Sequence, residues 1–266
     1  MYTAADHTFV ICAYKENPYL ESTLESIEGQ KELGKIVLST STPNDYIKDI
    51  CKKHNIPMII NQKPHLAGDD WNYGYNHADT ALVTIAHQDD QYNTDFLSET
   101  LKVLNHQPAD DALFIFTDYY EIRNDQRIYN NKLLNIKRWL NKPLLRPTLA
   151  RSYVGKRESL RFGDAICCPS VTYVKKHLGL NIFDTHYVNS CDYATFVKLA
   201  RKSGSFVYLP KPIMGHRIYA DSATSRNIVS NIRKLEDLEI FSSLWPRWIA
   251  FAINAIYSMS EKSNRL

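Results

Sequence analysis

Short apolar runs alternate with helix-period segments along the first half of the chain. Apolar residues recur every three or four positions at Leu20, Leu24 and Ile27, as in an amphipathic helix. Four apolar runs are short enough for buried parallel strands, at residues 8–13, 36–38, 57–60 and 81–86. Further helices are predicted at residues 46–54, 69–78 and 93–105. This alternation predicts a mostly parallel α/β sheet with right-handed crossovers and helices on both faces.

The pattern changes after a fifth predicted strand at residues 113–117. Residues 130–163 are basic, contain Pro143 and Pro147 and show no sustained period. We predict an irregular excursion here, either a mobile loop near a site or a plain surface segment. Regular structure is then predicted as a helix at residues 192–203 and a strand pair at residues 206–209 and 213–218.

The last segment has the period of one or two helices. Its apolar stripe consists of Trp245, Trp248, Ile249, Ala252, Ile253 and Ile256. One interpretation is a helix packed on the domain or on a second subunit, and the other is an interfacial helix lying on a membrane. We therefore divide the chain into a domain of residues 1–224 and a C-terminal helical extension of residues 225–266.

Composition narrows the class of protein. The 266 residues carry a net charge of only +3, which argues against nucleic acid as a partner. No apolar run is long enough for a transmembrane helix, and the first residues lack the pattern of a signal peptide. The five cysteines have no paired spacing, so we expect reduced thiols rather than a zinc site. These features predict a cytoplasmic protein, with contact to the inner face of the membrane left open.

Candidate chemistry follows the fourth predicted strand, because ligands of open α/β sheets bind at the carboxyl ends of strands. The residues there are His87, Gln88, Asp89 and Asp90. A carboxylate pair at this place is suited to holding Mg²⁺ or Mn²⁺ against a diphosphate. A solvated turn that caps the next helix has the same sequence pattern.

Two later groups allow both functional and structural interpretations. Asp192 opens a helix, where it is either a general base or a first-turn acid that responds to the helix dipole. His216 is either a metal ligand or a core histidine. The Arg217 guanidinium either binds a diphosphate through two parallel hydrogen bonds or forms a surface ion pair.

Taken in order, these segments resemble the family 2 glycosyltransferases of the GT-A fold. The resemblance covers about residues 8–225. Residues 9–17 are similar to the first strand and nucleotide-binding turn of that family, and residues 81–92 to its fourth strand and metal-binding turn. The other similar segments are residues 68–78 before that strand, the helix at 192–200 and the closing signature at 206–224.

The resemblance implies a Rossmann-like GT-A fold and an inverting transfer of sugar from a nucleotide donor, most often a UDP-sugar, to an acceptor hydroxyl. Asp192 would act as the catalytic base, and Mn²⁺ or Mg²⁺ would bind through Asp89, Asp90 and His216. The implied nucleotide-binding residues are Ala13, Tyr14, Glu16, Thr40, Asp70, Asn72, Gln88 and Asp89. The implied phosphate or acceptor residues are Arg217, Tyr219 and Ser222.

The sequence departs from the family pattern at several positions. Ser39, Thr40 and Ser41 stand where an acid usually follows the second strand, and His87 replaces the first acid of the metal motif. The closing signature carries Tyr219 where a histidine is usual. The acid at Asp192 is kept.

Competing functions are disfavoured by what the sequence lacks. No Gly-rich phosphate loop follows the first strand, which argues against a nucleotidyltransferase and a dinucleotide oxidoreductase. The alternative that remains is a catalytically silent, nucleotide-sugar-binding or scaffold subunit of a polysaccharide assembly complex. We expect a saccharide acceptor, lipid-linked or free, in the synthesis of bacterial surface polysaccharide or teichoic acid. The C-terminal helix is expected to contact a membrane or a second copy of the chain.

Overall fold

A computed structural model describes residues 1–63, 66–106, 111–219 and 232–262, with side chains up to residue 259. Ser222 and the predicted domain boundary after residue 224 lie outside these described residues.

Nine strands of the described ranges form one sheet flanked by helices. The strands are β1 His7–Ala13, β2 Lys35–Thr40, β3 Met58–Ile60, β4 Leu82–His87, β5 Gln91–Tyr92, β6 Ala112–Arg123, β7 Gln126–Ile128, β8 Val171–Val174 and β9 Ser205–Ile218. The helices are α1 Leu20–Glu28, α2 Asp45–Lys53, α3 Ala67–His77, α4 Phe96–His106, α5 Lys132–Asn141, α6 Pro147–Arg151, α7 Tyr153–Leu160, α8 Lys175–Leu178, α9 Cys191–Ala200, α10 Ile232–Leu244 and α11 Arg247–Lys262.

The sheet is mostly parallel, as the sequence predicts. Its strand order is β3-β2-β1-β4-β8-β6-β9-β5, with β7 paired to β6. The first four strands and the β6–β9 pair are parallel, whereas β8 runs antiparallel between β4 and β6. The sequence analysis missed β8, because a strand of four residues, three of them apolar, without clear flanking signals carries too little pattern. β8 matters because it joins the two parallel halves into one sheet.

The core lies on both faces of the sheet. Phe9, Val10 and Ile11 of β1 are all completely buried. Val10 packs into one apolar cluster, whereas Phe9 and Ile11 pack into the other. Successive side chains of a strand point to opposite faces, so a run of buried residues requires cover on both. This continuous burial explains why the strand is apolar without alternation.

The prediction of an irregular segment at residues 130–163 is wrong, because the segment folds into α5, α6 and α7. Asn131 caps α5 by accepting a hydrogen bond from Leu134 N at 2.8 Å, and Ser152 caps α7 by accepting one from Gly155 N at 3.0 Å. Pro147 is the first residue of α6, where its missing N–H leaves no intrahelical bond unmade. Short helices that begin at proline show no sustained hydrophobic period in the sequence, so the sequence analysis missed them.

The predicted strand pair near the end of the domain is a single strand of 14 residues, β9. Pro210 and Pro212 lie in its middle and cannot donate ladder hydrogen bonds. The pairing of β9 with β6 shifts in register around Asp118, opposite these prolines. The irregularity therefore bends the strand without ending it.

The C-terminal segment forms two helices, α10 and α11, that join the main core. Ile240, Phe241, Leu244 and Ala250 belong to the same buried cluster as Val10. The Trp245 indole N–H donates to the Arg161 carbonyl at 2.7 Å, which ties the helix junction to α7. Among the described helices, none combines the length and hydropathy that a bilayer crossing requires.

We expect Gly74→Ala to destabilise the protein, because α3 meets the sheet through this glycine. An added Cβ would lie 2.5 Å from Val10 Cγ1 and 3.2 Å from Ser39 Cβ. Overpacking of this kind costs about 1–3 kcal/mol. Thermal unfolding should show Tm lowered by several degrees. Gly29→Ala is the control, since its φ of −75° suits alanine; an equal loss in both variants would contradict this packing.

Candidate active site

A buried carboxylate ties the turn after β4 to the end of β9. Asp90 is completely buried, and its Oδ1 accepts hydrogen bonds from His216 Nδ1 at 3.0 Å and from the Arg217 backbone N–H at 2.9 Å. The short strand β5 follows at once and pairs Gln91 with Gly215. Residues more than 120 positions apart in the sequence therefore form one site.

Asp89 joins this site from the same turn. Its Oδ2 accepts a hydrogen bond from the Tyr219 hydroxyl at 2.9 Å, and that hydroxyl accepts one from Asn17 Nδ2 at 3.0 Å. Asn17 belongs to the turn after β1. The predicted nucleotide-binding turn, the acidic turn and the closing signature thus meet at one edge of the sheet.

His87, Asp89 and Asp90 form a group suited to a divalent cation. They offer ligand atoms that all lie within 4.8 Å of one another. His87 Nε2 and Asp90 Oδ2 are buried and have no hydrogen-bond partner among the described residues. Unsatisfied buried ligand atoms are costly unless something binds them, so the donor set fits Mn²⁺ or Mg²⁺.

His87, rather than the predicted His216, completes the group. His216 bonds to Asp90 through Nδ1 and orients that carboxylate. The Trp71 indole stacks on the His87 ring, with centroids 5.0 Å apart and planes 25° from parallel. His87, which departs from the family motif, is therefore held in the cluster by Trp71. The sequence analysis missed Trp71.

The two carboxyl groups titrate differently. Burial and the neighbouring charge of Asp90 raise the pKa of Asp89. Burial also acts on Asp90, but the charge and hydrogen bond of His216 outweigh it and lower the pKa of Asp90. Burial opposes the charged form of His216 too, and Asp90 outweighs it, so the pKa of His216 is raised. Asp90 and His216 therefore form an ion pair beneath the more exposed Asp89.

The turns after β1 and β4 are fastened together by one side chain. Gln88 accepts a hydrogen bond from Tyr14 N–H at 2.9 Å and donates one to the Tyr14 carbonyl at 3.1 Å. Tyr14 is 51% exposed and Glu16 is exposed, whereas Ala13 is buried. Tyr14 thus presents its ring at the strand ends while Gln88 serves as its anchor.

An acid reaches the end of β2 from α3. Asp70 accepts hydrogen bonds from the Ser41 hydroxyl at 2.6 Å and from Asn61 Nδ2 at 2.8 Å. Thr40 is buried beside them and accepts a bond from Thr42 N–H. The family usually carries an acid after the second strand, and here Asp70 brings a carboxylate to that place from another element.

Two predicted ligand residues also make hydrogen bonds within the protein. Asn72 donates to the Phe183 carbonyl and accepts from Phe183 N–H, both at 2.9 Å, so one donor and one acceptor of its amide are used. Arg217 Nε donates to the Asp89 carbonyl at 3.1 Å and Nη1 to Asp125 at 2.9 Å. Its guanidinium also lies 4.0 Å from the centre of the Tyr19 ring. Both side chains thus brace the site, and their contacts with ligand stay predictions.

A cleft of about 650 Å³ lies beside α3. Asn72 and Asn76 line it from α3, and Asn181 lines it from the segment before α9. Asn61, which donates a hydrogen bond to Asp70, lines it as well. Asn76 Nδ2 donates to Asn181 Oδ1 at 2.7 Å. The cleft is polar, and its lining does not include the residues of the acidic turn.

Asp192, the predicted base, is half-buried in the first turn of α9 and accepts a hydrogen bond from Tyr193 N–H at 2.9 Å. Burial raises the pKa of the Cys167 thiol, and the charges of Asp90 and Asp192 raise it further. All five cysteines of the chain are free thiols.

The sequence analysis missed two further titratable residues, Asp164 and Lys137. Burial and the charge of Asp192 raise the pKa of Asp164 to about 8, against the opposing effect of Lys137 and Arg233. Lys137 Nζ lies 5.4 Å from the centre of the Tyr119 ring, whose centroid is 6.2 Å from that of His216. Lys137 thus lies near the Tyr119 ring, which neighbours His216, and the sequence analysis missed it because its segment shows no sustained hydrophobic period.

A scan of protein families matches residues 8–162 with the model of glycosyl transferase family 2. The chain belongs to glycosyl transferase family 2. The matched part contains every strand from β1 to β7 and the whole acidic turn. No curated protein matches the chain in sequence.

Solved structures agree on the fold. The mannosyltransferase PcManGT from Pyrobaculum calidifontis, in complex with GDP-Man and Mn²⁺, has a TM-score of 0.65 at 14% identity and covers 97% of this chain and 73% of that one. S. aureus TarS 1-349 in complex with UDP-GlcNAc has a TM-score of 0.59 at 13% identity, covering 96% and 72%. At these identities the likeness establishes the GT-A fold.

We expect Asp164→Asn to stabilise the protein increasingly as pH rises. The raised pKa means that the folded protein keeps a proton that the unfolded chain releases above about pH 4, so stability falls from about pH 4 to about pH 8. The variant resembles the protonated acid and has no such loss. Tm measured from about pH 5 to about pH 8 should diverge from wild type by several degrees. Parallel curves would contradict the prediction, and the exposed Asp79→Asn serves as control.

Proposed function

We propose that this protein is an inverting glycosyltransferase that moves a sugar from a nucleotide-sugar donor to a saccharide hydroxyl. The observation that carries the proposal is the group of His87, Asp89 and Asp90 at the carboxyl end of β4. It lies in a chain of glycosyl transferase family 2 that also has a candidate base, Asp192. Displacement of a diphosphate by a hydroxyl needs both a cation site and a base.

The donor is a nucleoside diphosphate sugar, and we propose a UDP-sugar. The similar structures were solved with GDP-Man in one case and UDP-GlcNAc in the other, which supports the nucleotide-sugar class. Tyr14 offers an exposed ring to the base, and Asp70 offers a carboxylate to the nucleoside. The Ser41 hydroxyl and the Asn61 amide bond to that carboxylate, so the pocket recognises hydrogen-bonding groups rather than apolar ones.

Each group of the chain has a distinct task in this reaction. Asp192 removes the proton of the acceptor hydroxyl, which attacks the anomeric carbon opposite the diphosphate and inverts it. Asp89, Asp90 and His87 would hold the divalent cation, which would neutralise charge on the leaving diphosphate. Tyr219 holds Asp89 in place, and His216 holds Asp90.

The alternative function is nucleotide-sugar binding without turnover, as in a silent scaffold subunit. Asp192 and the complete cluster at the end of β4 favour the enzyme, because a binding subunit has no need of a base. The two functions differ in one measurable property, the release of nucleotide from donor.

The first test is donor hydrolysis by wild type and Asp192→Asn, across UDP-, GDP- and dTDP-sugars with and without Mn²⁺. We expect slow, Mn²⁺-dependent release of UDP from one donor by wild type. The variant should lose this release by about 100-fold or more, the usual contribution of a general base, while it keeps donor affinity. Asp79→Asn, at the opposite end of β4, is the matched control and should retain release. Binding without release by wild type, with any acceptor tried, would favour the scaffold.

A second test concerns the cation ligands. Titration of Mn²⁺ with free Mn²⁺ followed by electron paramagnetic resonance, in the presence of UDP, should show one site in wild type. Asp89→Asn and His87→Ala should each weaken that site by about tenfold or more, since each removes one of three ligand atoms. Asp125→Asn, whose acid lies outside the group but pairs with Arg217, is the control. Unchanged affinity in both ligand variants would remove the cluster from the proposal.

A further inference from the structure

Helix α11 exposes a continuous apolar face. Trp248 is 75%, Phe251 53%, Ile256 71% and Met259 71% exposed. Ala252 and Ala255 lie between them and are exposed too. These six residues, the outer face of α11, contain no polar side chain over about three turns. Apolar surface of this kind marks a site of interaction on a folded protein.

The opposite face of α11 fixes the orientation of the helix. Ala250 and Asn254 are buried, and Asn254 Nδ2 donates to the Lys234 carbonyl at 2.9 Å. The Tyr257 ring meets Phe241 at 5.6 Å between centroids. Because these contacts would be lost, α11 cannot turn its outer face into the core. The stripe predicted from sequence is thus divided, with Trp248 outside and Ile253 against the core.

A second exposed apolar group lies on α5 and the turn after it. Ile136 is 43%, Trp139 61% and Leu145 50% exposed. Helix α7 packs against α5 and the turn after it, and the two residues Phe162 and Gly163 that follow α7 contact the C-terminal helices. Phe162, 38% exposed, packs on Trp245 at 5.6 Å, and Gly163 lies directly against Tyr257.

The segment of the chain that carries this second group is basic. Residues 132–161 contain nine lysines and arginines and one acid, Glu158. The rest of the chain contains 23 bases and 28 acids, so it is net negative. Lys142 and Arg146 are exposed on either side of Leu145, and Arg247 is exposed at the start of α11. Basic side chains that flank exposed tryptophans and aliphatic residues complement an anionic lipid surface, with its apolar interior beneath.

We propose that the outer face of α11, together with Trp139, Leu145 and the exposed bases beside them, is a docking surface for an anionic lipid bilayer. Trp248 and Trp139 sit at headgroup depth, and Lys142 and Arg146 contact lipid phosphates. A partner protein would satisfy the apolar face equally, but it gives no reason for the exposed bases Lys142, Arg146 and Arg247.

The test is co-sedimentation of the full chain with vesicles of phosphatidylcholine alone or mixed with phosphatidylglycerol. Wild type should bind the anionic vesicles at least tenfold more tightly, and added salt should weaken that binding. Trp248→Ser combined with Phe251→Ser should reduce binding by about tenfold or more. Lys142→Gln combined with Arg146→Gln should remove most of the preference for anionic lipid, at about fivefold for each base.

Controls distinguish lipid binding by this surface from nonspecific binding by any exposed apolar residue and from the effects of misfolding. Leu180→Ser changes an exposed apolar residue, 62% exposed, elsewhere on the protein and should bind as wild type does. The changed side chains face solvent, so Tm should stay within a few degrees of wild type. Equal pelleting of wild type and both double variants would overturn the proposal. It would also be overturned if the serine variant abolished a dimer seen by light scattering while vesicle binding stayed unchanged, because the face would then join two copies of the chain.

Discussion

The site depends on one buried carboxylate. Asp90 has no exposed surface, and its Oδ1 takes hydrogen bonds from the side chain of His216 and from the backbone of Arg217. An uncompensated charge at such a depth would cost several kcal/mol, so the end of β9 must stay beside the turn after β4 for the fold to be stable. The same pairing leaves the second oxygen of Asp90 facing His87 at 3.8 Å. Asp90 therefore both stabilises the fold and offers a ligand atom for a cation.

From that anchor the remaining groups are arranged by strand order. β1 and β4 are neighbours, so Gln88 can fasten the turn that carries Tyr14. β8 lies beside β4 and brings the segment before it, with Asp164 and Cys167, to the base side of the site. In the proposed reaction, the nucleotide side is at β1 and β2 and the acceptor side is at α9. The positive charge of Lys137 from α5 acts to lower the pKa of both Asp164 and His216.

The segment of α5 to α7 connects this site with the surface. Lys137 faces the site from α5, whereas Trp139 of the same helix is exposed. Gly163, next to Asp164, lies against Tyr257 of α11. Basic and apolar side chains are thus exposed on the outer surface of the helices that support the proposed acceptor side. A shift of α5 or α11 would therefore move residues both at this surface and at the site.

The sequence by itself determined the elements whose patterns are local. The apolar run of β1, the period of α1 and the caps and spacing of the first half are enough for a mostly parallel α/β sheet, since each signal lies within about ten residues. The order of motifs also identified the acidic turn and the family. Short helices after prolines and the four residues of β8 carried too few positions for a period, so the sequence missed them.

The tertiary structure decided which side chains meet. Asp70 reaches the end of β2 from α3, and His87 replaces His216 in the cation group, because pairing between distant strands sets these distances. Asn72 could not be separated from Asp70 by sequence, since the two lie on different faces of one helix turn and only one face borders the strand ends. The outer and inner faces of α11 were likewise inseparable, because both are apolar and only the partners on α7 and α10 select the side that is buried.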